Sequence, residues 1–349
     1  MSNKKYFNSR KRMTQDGSHI VWHTDDNGTK VEFNKNADIC YGTILILITV
    51  LGTLGNALSL HYFVSKRRDV SAIIYISVTA VDTVLCLCAF PVALSYFNTR
   101  NPTLFTSLIF CNMWHLVYKT LSSMSIFCVA TLSITRTYFL LRPFKSISQK
   151  LVVASLVSYF LFQCVASTII YWEQGGLWMY FSMFAECSFA TNVTKFEKLG
   201  DVILNMCHTF PIFPIILSCF ISIFALMGSV REGRSAEQNQ EKRYASVTIV
   251  MFTVIYAVFN IPSSFLNLYQ LFDKVGLDEK LAFDKLGYFS NFVWSLSIPL
   301  NALCNPILYI IRMKNLRAAL LTTITGKNSR ESDDYVTART EMTSRQSNC

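Results

Sequence analysis

Charge is scarce in this chain. Only 15% of its 349 residues are Asp, Glu, Lys or Arg, against 52% apolar, and those charges are clustered. A soluble protein needs charge on every solvated helix face, so this scarcity excludes an ordinary soluble enzyme or a disordered protein. Histidine is scarcer still. His19, His23, His61, His115 and His208 are dispersed, with no H-E-x-x-H run, phosphate-binding glycine loop or nucleophile–base triad around them. The chain is therefore expected not to be an enzyme. Its net charge of +10 sits at the ends of apolar runs and not on one solvated face, which excludes a nucleic-acid partner. Residues 1–38 lack an apolar core, so no cleavable signal peptide is expected and the first helix would serve as the signal. No internal repeat of the transporter kind is found.

What the chain has instead is long uncharged runs. Asp38 to Lys66 encloses 27 uncharged residues, and Lys150 to Glu173 encloses 22. Asp201 to Arg231 and Arg243 to Asp273 enclose 29 each, and Lys285 to Arg312 encloses 26. Two further runs carry one charge each, Asp82 between Asp69 and Arg100, and Lys119 between Asn101 and Thr135. Crossing a bilayer takes about 20 residues of helix, and every one of these runs is that long. Backbone groups in lipid must pair within their own segment, so the spans are helices. The expected fold is an all-α membrane protein, a seven-transmembrane helix bundle over 39–311. Its helices fall at about 39–65, 70–98, 105–141, 149–172, 201–230, 243–272 and 285–311.

Basic residues orient the bundle. The loops after the first, third and fifth spans, with the start of the tail, hold 13 Lys and Arg, against 6 in the opposite loops. The richer face is cytoplasmic and the N-terminus is outside, at the plasma membrane. Two sequons, Asn27-Gly-Thr29 and Asn192-Val-Thr194, fall on the outer face and are candidate glycosylation sites. Residues 1–38 and 323–349 are polar, without helical periodicity, and are expected to be disordered. The tail is rich in Ser and Thr, a substrate for kinases. Over 312–322, Met313, Leu316 and Leu320 share a face opposite Arg312, Lys314 and Arg317, as in a short amphipathic eighth helix on the inner membrane surface.

Polar side chains inside hydrocarbon are costly and mark function. Asp82 lies midway along the second span, with Asn56, Ser125, Asn301 and Asn305 at similar depth in other spans. Asn301 and Asn305 share a helix face. These oxygens form either a polar network that sets helix register or, centred on Asp82 and Ser125, a site for a small hard cation.

With Arg136, this set resembles the rhodopsin-like (class A) G-protein-coupled receptors, over residues 39 to 322. The resemblance rests on Gly55-Asn56, Asp82, Cys111 and Arg136 at the two ends of the third helix, Cys187, Pro262, and Asn305-Pro306-Ile307-Leu308-Tyr309. It implies a Cys111–Cys187 disulfide. The helix length agrees, since about 37 Å separates Cys111 from Arg136 and puts the cysteines at the outer mouth. It implies sodium at Asp82 and coupling to a heterotrimeric G protein through Arg136. A kink at Pro262 would let the sixth helix swing and Tyr309 would turn inward. Arrestin and receptor kinases would meet the tail. A retinal cofactor is excluded because residues 286–311 contain no lysine.

The chain departs from that pattern in three places, one being that the fourth helix lacks a membrane-centred Trp and either Pro211 or Pro214 stands as the fifth helix's proline. Thr135 precedes Arg136 where the family has a carboxylate, while Lys242 and Arg243 would repel it, so a weak resting clasp and high basal signalling are expected. Asn260 stands where tryptophan is usual and could extend the network around Asp82. For the ligand, Tyr118 takes the pocket position on the third helix, and Lys119, His115 and His208 would suit an anionic or polar group. The mixed charge of the outer loops favours a peptide, such as a neuropeptide. A lipid or small organic anion comes next. A non-coupling seven-helix protein, or a transporter, is the alternative from a different class.

Overall fold

The computed structural model describes residues 20–24, 30–65, 69–97, 108–142, 147–173, 178–181, 186–189, 209–231, 253–260, 285–313 and 316–320, with single positions at 206, 247, 250 and 251. Four helices are long and apolar enough to cross a membrane among these residues. They are α1 (Lys35–Ser65), α2 (Val70–Phe97), α3 (Leu108–Leu141) and α4 (Gln149–Glu173). Shorter apolar stretches lie within α5 (Ile212–Arg231) and α7 (Lys285–Arg312). The described part of α6 is 253–260, and a short α8 spans 316–320.

Local chemistry explains the helix ends and interiors. Asp69 caps α2 by accepting the Ala72 amide at 2.6 Å, the usual service of an N-cap carboxylate. Pro91 sits inside α2, where the Ser95 hydroxyl donates to its carbonyl at 3.0 Å. Ser77, Thr79 and Thr83 likewise donate to the carbonyl one turn back, at 3.0, 2.8 and 2.6 Å. Such back-bonding satisfies hydroxyls without water, which lipid does not supply.

Packing turns polar groups inward. Asn56, Ser59, Thr79 and Asp82 are all 0% exposed, whereas Leu54 on α1 and Phe213 on α5 are 57% and 65% exposed. That is the reverse of a water-soluble core and is the pattern of a bundle solvated by lipid. α1 lies close against α2 and α7 because two of its glycines leave room. A Cβ on Gly52 would stand 2.6 Å from Cys86 Sγ, and one on Gly55 would stand 3.0 Å from Pro306 Cγ. Leu45, Leu85, Val92, Trp114, Tyr118 and Ile298 form one core cluster. Phe63, Tyr75, Cys128, Leu132, Leu308, Tyr309 and Leu316 form another, nearer the Arg136 end. Leu316 of α8 is fully buried there, with Met313 and Leu320 partly buried beside it.

Two antiparallel hairpins add to the helices. β1 (Ile20–Thr24) pairs with β2 (Lys30–Asn34), and β3 (Trp178–Phe181) with β4 (Glu186–Phe189). β2 packs on α1, and both β3 and β4 pack on α3. The first hairpin corrects the expectation that residues 1–38 hold no ordered element, and α1 itself starts at Lys35. The signal was present in the sequence. β-branched and aromatic runs flank an Asn27-Gly28 pair, the favoured hairpin dipeptide, but the surrounding charge masked it.

Candidate functional site

Asp82 is the centre of the buried polar cluster. Its Oδ1 accepts the Ser125 hydroxyl and its Oδ2 accepts the Asn305 amide, each at 2.6 Å. One carboxylate thereby ties α2 to α3 and α7. Among the described residues no basic side chain pairs with it. A buried carboxylate without a cation is costly, and a proton or a bound positive ion would relieve that cost. Asn56 stabilises the adjoining seam, donating through one Nδ2 to the Gly52 and Ala302 carbonyls, both at 2.9 Å. The other polar atom of that amide, Oδ1, is buried with no hydrogen-bond partner among the described residues. Asn301 is buried as well. Asn260 is buried and donates to the Tyr256 carbonyl in its own helix at 3.1 Å.

Among the described residues no three His, Cys, Asp or Glu side chains gather into a group that could hold a metal ion. A single carboxylate beside a hydroxyl and an amide is an oxygen donor set of the kind that small hard cations take.

A second constellation lies near the end of α3. Arg136 is half-buried, and its Nη2 donates to the Tyr75 hydroxyl at 2.9 Å while the guanidinium stands 5.8 Å from that ring's centroid. Tyr75 stacks on Phe63 with centroids 4.8 Å apart. Tyr309 meets both rings edge-on, at 5.1 Å from Tyr75 and 5.5 Å from Phe63. On the other side of α3, Thr137 donates to the Ser218 carbonyl at 3.3 Å and shares a hydrogen bond with the Ser222 hydroxyl at 3.2 Å. Thr135 is buried. The two constellations are continuous, since Asn305 and Tyr309 lie one turn apart on α7, with Pro306 between them.

Toward the hairpin end, Tyr118 is buried and stacks on Trp114, with centroids 5.0 Å apart. Trp114 Nε1 donates to the Cys88 carbonyl at 2.8 Å, fixing this pair against α2. Lys119, next along α3, is half-buried. The side chains of Cys111, His115 and Cys187, and residues His208, Pro262, Lys242, Arg243, Asn27 and Asn192, lie outside the described residues.

Sequence reasoning found Asp82, Ser125, Asn305, Arg136 and Tyr309 but not Tyr75, Phe63 or Ser222. An aromatic or hydroxyl residue in an apolar span gives no local signal of its partner. Only the shared level of Tyr75, Phe63 and Tyr309 near one end of their helices could have suggested a cluster.

Comparison with known proteins agrees with this arrangement. The family described as "7 transmembrane receptor (rhodopsin family)" matches residues 55–309, which begin at the Gly55-Asn56 pair and end at Tyr309. The chain is 21% identical over 336 residues to a purinoceptor 1 of Meleagris gallopavo, with 92% of this chain and 89% of that protein covered. The same figures hold for the purinoceptor 1 of Gallus gallus. Squid rhodopsin is a structural neighbour with a TM-score of 0.66 at 15% identity, covering 84% of this chain and 87% of that one. A match through the whole bundle makes the chain a member of the rhodopsin family of seven-transmembrane receptors, multi-pass membrane proteins that are receptors and not enzymes.

Proposed function

We propose that this receptor sits in the plasma membrane with its hairpins outward, binds an extracellular peptide, and activates a heterotrimeric G protein through Arg136. The observation that carries the reading is the continuous chain of contacts from the bundle centre to the end of α3. Asp82 bonds Asn305, Tyr309 follows one turn later, and Tyr309 packs on the ring that accepts Arg136. Such a chain lets two helix arrangements compete, and a ligand that prefers one shifts the population at the far end. In the family's pattern Arg136, Pro262, Asn305, Pro306 and Tyr309 carry that step, and Thr135 and Asn260 are where this chain departs from it.

Support for a peptide comes from β1–β2 and β3–β4. Each two-stranded sheet keeps edges unpaired among the described residues, and extended peptides bind by adding a strand to such an edge. The Cys111–Cys187 disulfide is favoured because Cys187 lies in β4, which packs on α3, while Cys111 lies in that helix's first turn. The sequons Asn27-Gly-Thr29 and Asn192-Val-Thr194 would carry glycans, since both fall in segments that this topology assigns to the outer face. Sodium at Asp82 and Ser125 would neutralise the buried carboxylate. Arrestin and receptor kinases would meet the Ser- and Thr-rich tail.

A second ligand reading has its own support. Two proteins this chain resembles are named purinoceptors, and Lys119 on α3, with His115 and His208, would suit a nucleotide or another small organic anion. The test is a G-protein activation assay in cells, run against peptide and nucleotide libraries with Arg136→Ala as control. A peptide response lost in Arg136→Ala is the expected result. Responses to nucleotides alone would move the ligand to the second reading, and responses that survive Arg136→Ala would overturn the role of Arg136.

A further inference from the structure

Thr135 leaves Arg136 without the neighbouring carboxylate that would ordinarily hold a guanidinium, and Arg136 has no ion-pair partner among the described residues. It is nevertheless held. We propose that Tyr75 of α2 is the positioning residue that clasps Arg136 in the resting receptor, taking the place of an acidic partner. The inference rests on the reading of Arg136 as the contact for the G protein.

Three observations support the clasp. The Tyr75 hydroxyl accepts from Arg136 Nη2 at 2.9 Å, and the guanidinium stands 5.8 Å from the centroid of the same ring. Hydrogen bonding and cation–π attraction therefore act on one side chain. The ring is only 3% exposed and is fixed by Phe63 stacked at 4.8 Å and Tyr309 edge-on at 5.1 Å, so its hydroxyl is presented in one place at little entropic cost. Arg136 meanwhile is half-buried and turned toward α2 through that bond.

The same geometry says how the clasp opens. Tyr309 touches the ring that holds Arg136, so a swing of Tyr309 with α7 removes one wall of the Tyr75 socket. Movement of α7 and release of Arg136 are then one event. The clasp is an interaction between a cation and a neutral group and needs no carboxylate.

The test uses full-length receptor in lipid nanodiscs with a panel of heterotrimeric G proteins and no ligand. Tyr75→Phe removes one oxygen and keeps the ring, so the fold is retained. Its ligand-free guanine-nucleotide exchange is expected to rise about tenfold, the factor associated with one hydrogen bond to a charged group. The melting temperature is expected to fall for Tyr75→Phe in the native background and to stay unchanged by it in an Arg136→Ala background. A merely structural tyrosine would lower the melting temperature equally in both backgrounds, and that additive result would overturn the clasp. So would unchanged exchange in a receptor that does activate one of the G proteins. A non-additive pair in a receptor that activates none would support the clasp and overturn the coupling reading.

Discussion

Asn305 and Asp82 stand 223 residues apart in sequence, yet the amide of one donates to the carboxylate of the other at 2.6 Å. This contact closes α7 onto α2 at the middle of the bundle. It also determines what the site can hold, because one Asp82 oxygen accepts from Asn305 and the other from Ser125. An ion that enters must share these oxygens.

Sodium should therefore stabilise the receptor through Asp82. Replacing choline by sodium at about 150 mM is expected to raise the melting temperature by about 2–5 °C. Asp82→Asn should abolish that increment, because the neutral amide no longer gains from a cation. Thermal unfolding of the purified receptor in the two salts measures it, and an equal increment in the variant would remove sodium from the site.

Close approach of α1 to α2 leaves no room for a side chain at Gly52 unless the Cys86 thiol moves. Gly52→Ala places a methyl group 2.6 Å from Cys86 Sγ. The overpacking is expected to cost about 1–3 kcal/mol. Cys86→Ala frees that space, so the double variant should be less destabilised than the sum of the two singles. Additive losses in melting temperature would mean that the helices relax apart instead.

Thr137 and Ser222 join α3 to α5 through a hydroxyl pair. A double-mutant cycle with Thr137→Val and Ser222→Ala should give a coupling of about 0.6 kcal/mol, typical of polar contacts between membrane helices. Unfolding of the four proteins in the same detergent measures this coupling.

Leu316 is the most deeply buried anchor of the α8 segment, with Leu320 partly buried beside it. Leu316 is 0% exposed within the cluster that includes Tyr309, whereas Arg317 beside it is exposed. Leu316→Ala should cost about 2–4 kcal/mol through the cavity it leaves. Arg317→Ala should change stability by no more than about 0.5 kcal/mol. Melting temperatures of the two variants separate an anchored helix from one that only lies on lipid.

The bundle was legible in the sequence because lipid imposes a simple rule: spans exclude charge, and the exceptions mark the site. Asp82 stood out as a charge within an apolar run, and the structure brings it to Ser125 and Asn305, two of the polar residues noticed at the same depth. Partners without charge were illegible. Tyr75 reads as one more apolar-leaning residue of α2, and its bond to Arg136 depends on how α2 and α3 rotate against each other. The hairpin β1–β2 was missed for a different reason, since polar composition outweighed a short strand pattern around Asn27-Gly28.

The hydroxyls that donate within their own helices have a consequence for inheritance and engineering. Ser77, Thr79, Thr83 and Ser95 on α2 each occupy a carbonyl that already serves the helix ladder, so each is a surplus donor. A third of a turn about the Cα–Cβ bond carries such a donor to its next staggered position, freeing it from its own helix. Alanine at the part-buried Ser77 would leave melting curves nearly unchanged while removing one hydroxyl that another helix arrangement could use. Variation there would be silent in assays of folding and visible only in assays of switching.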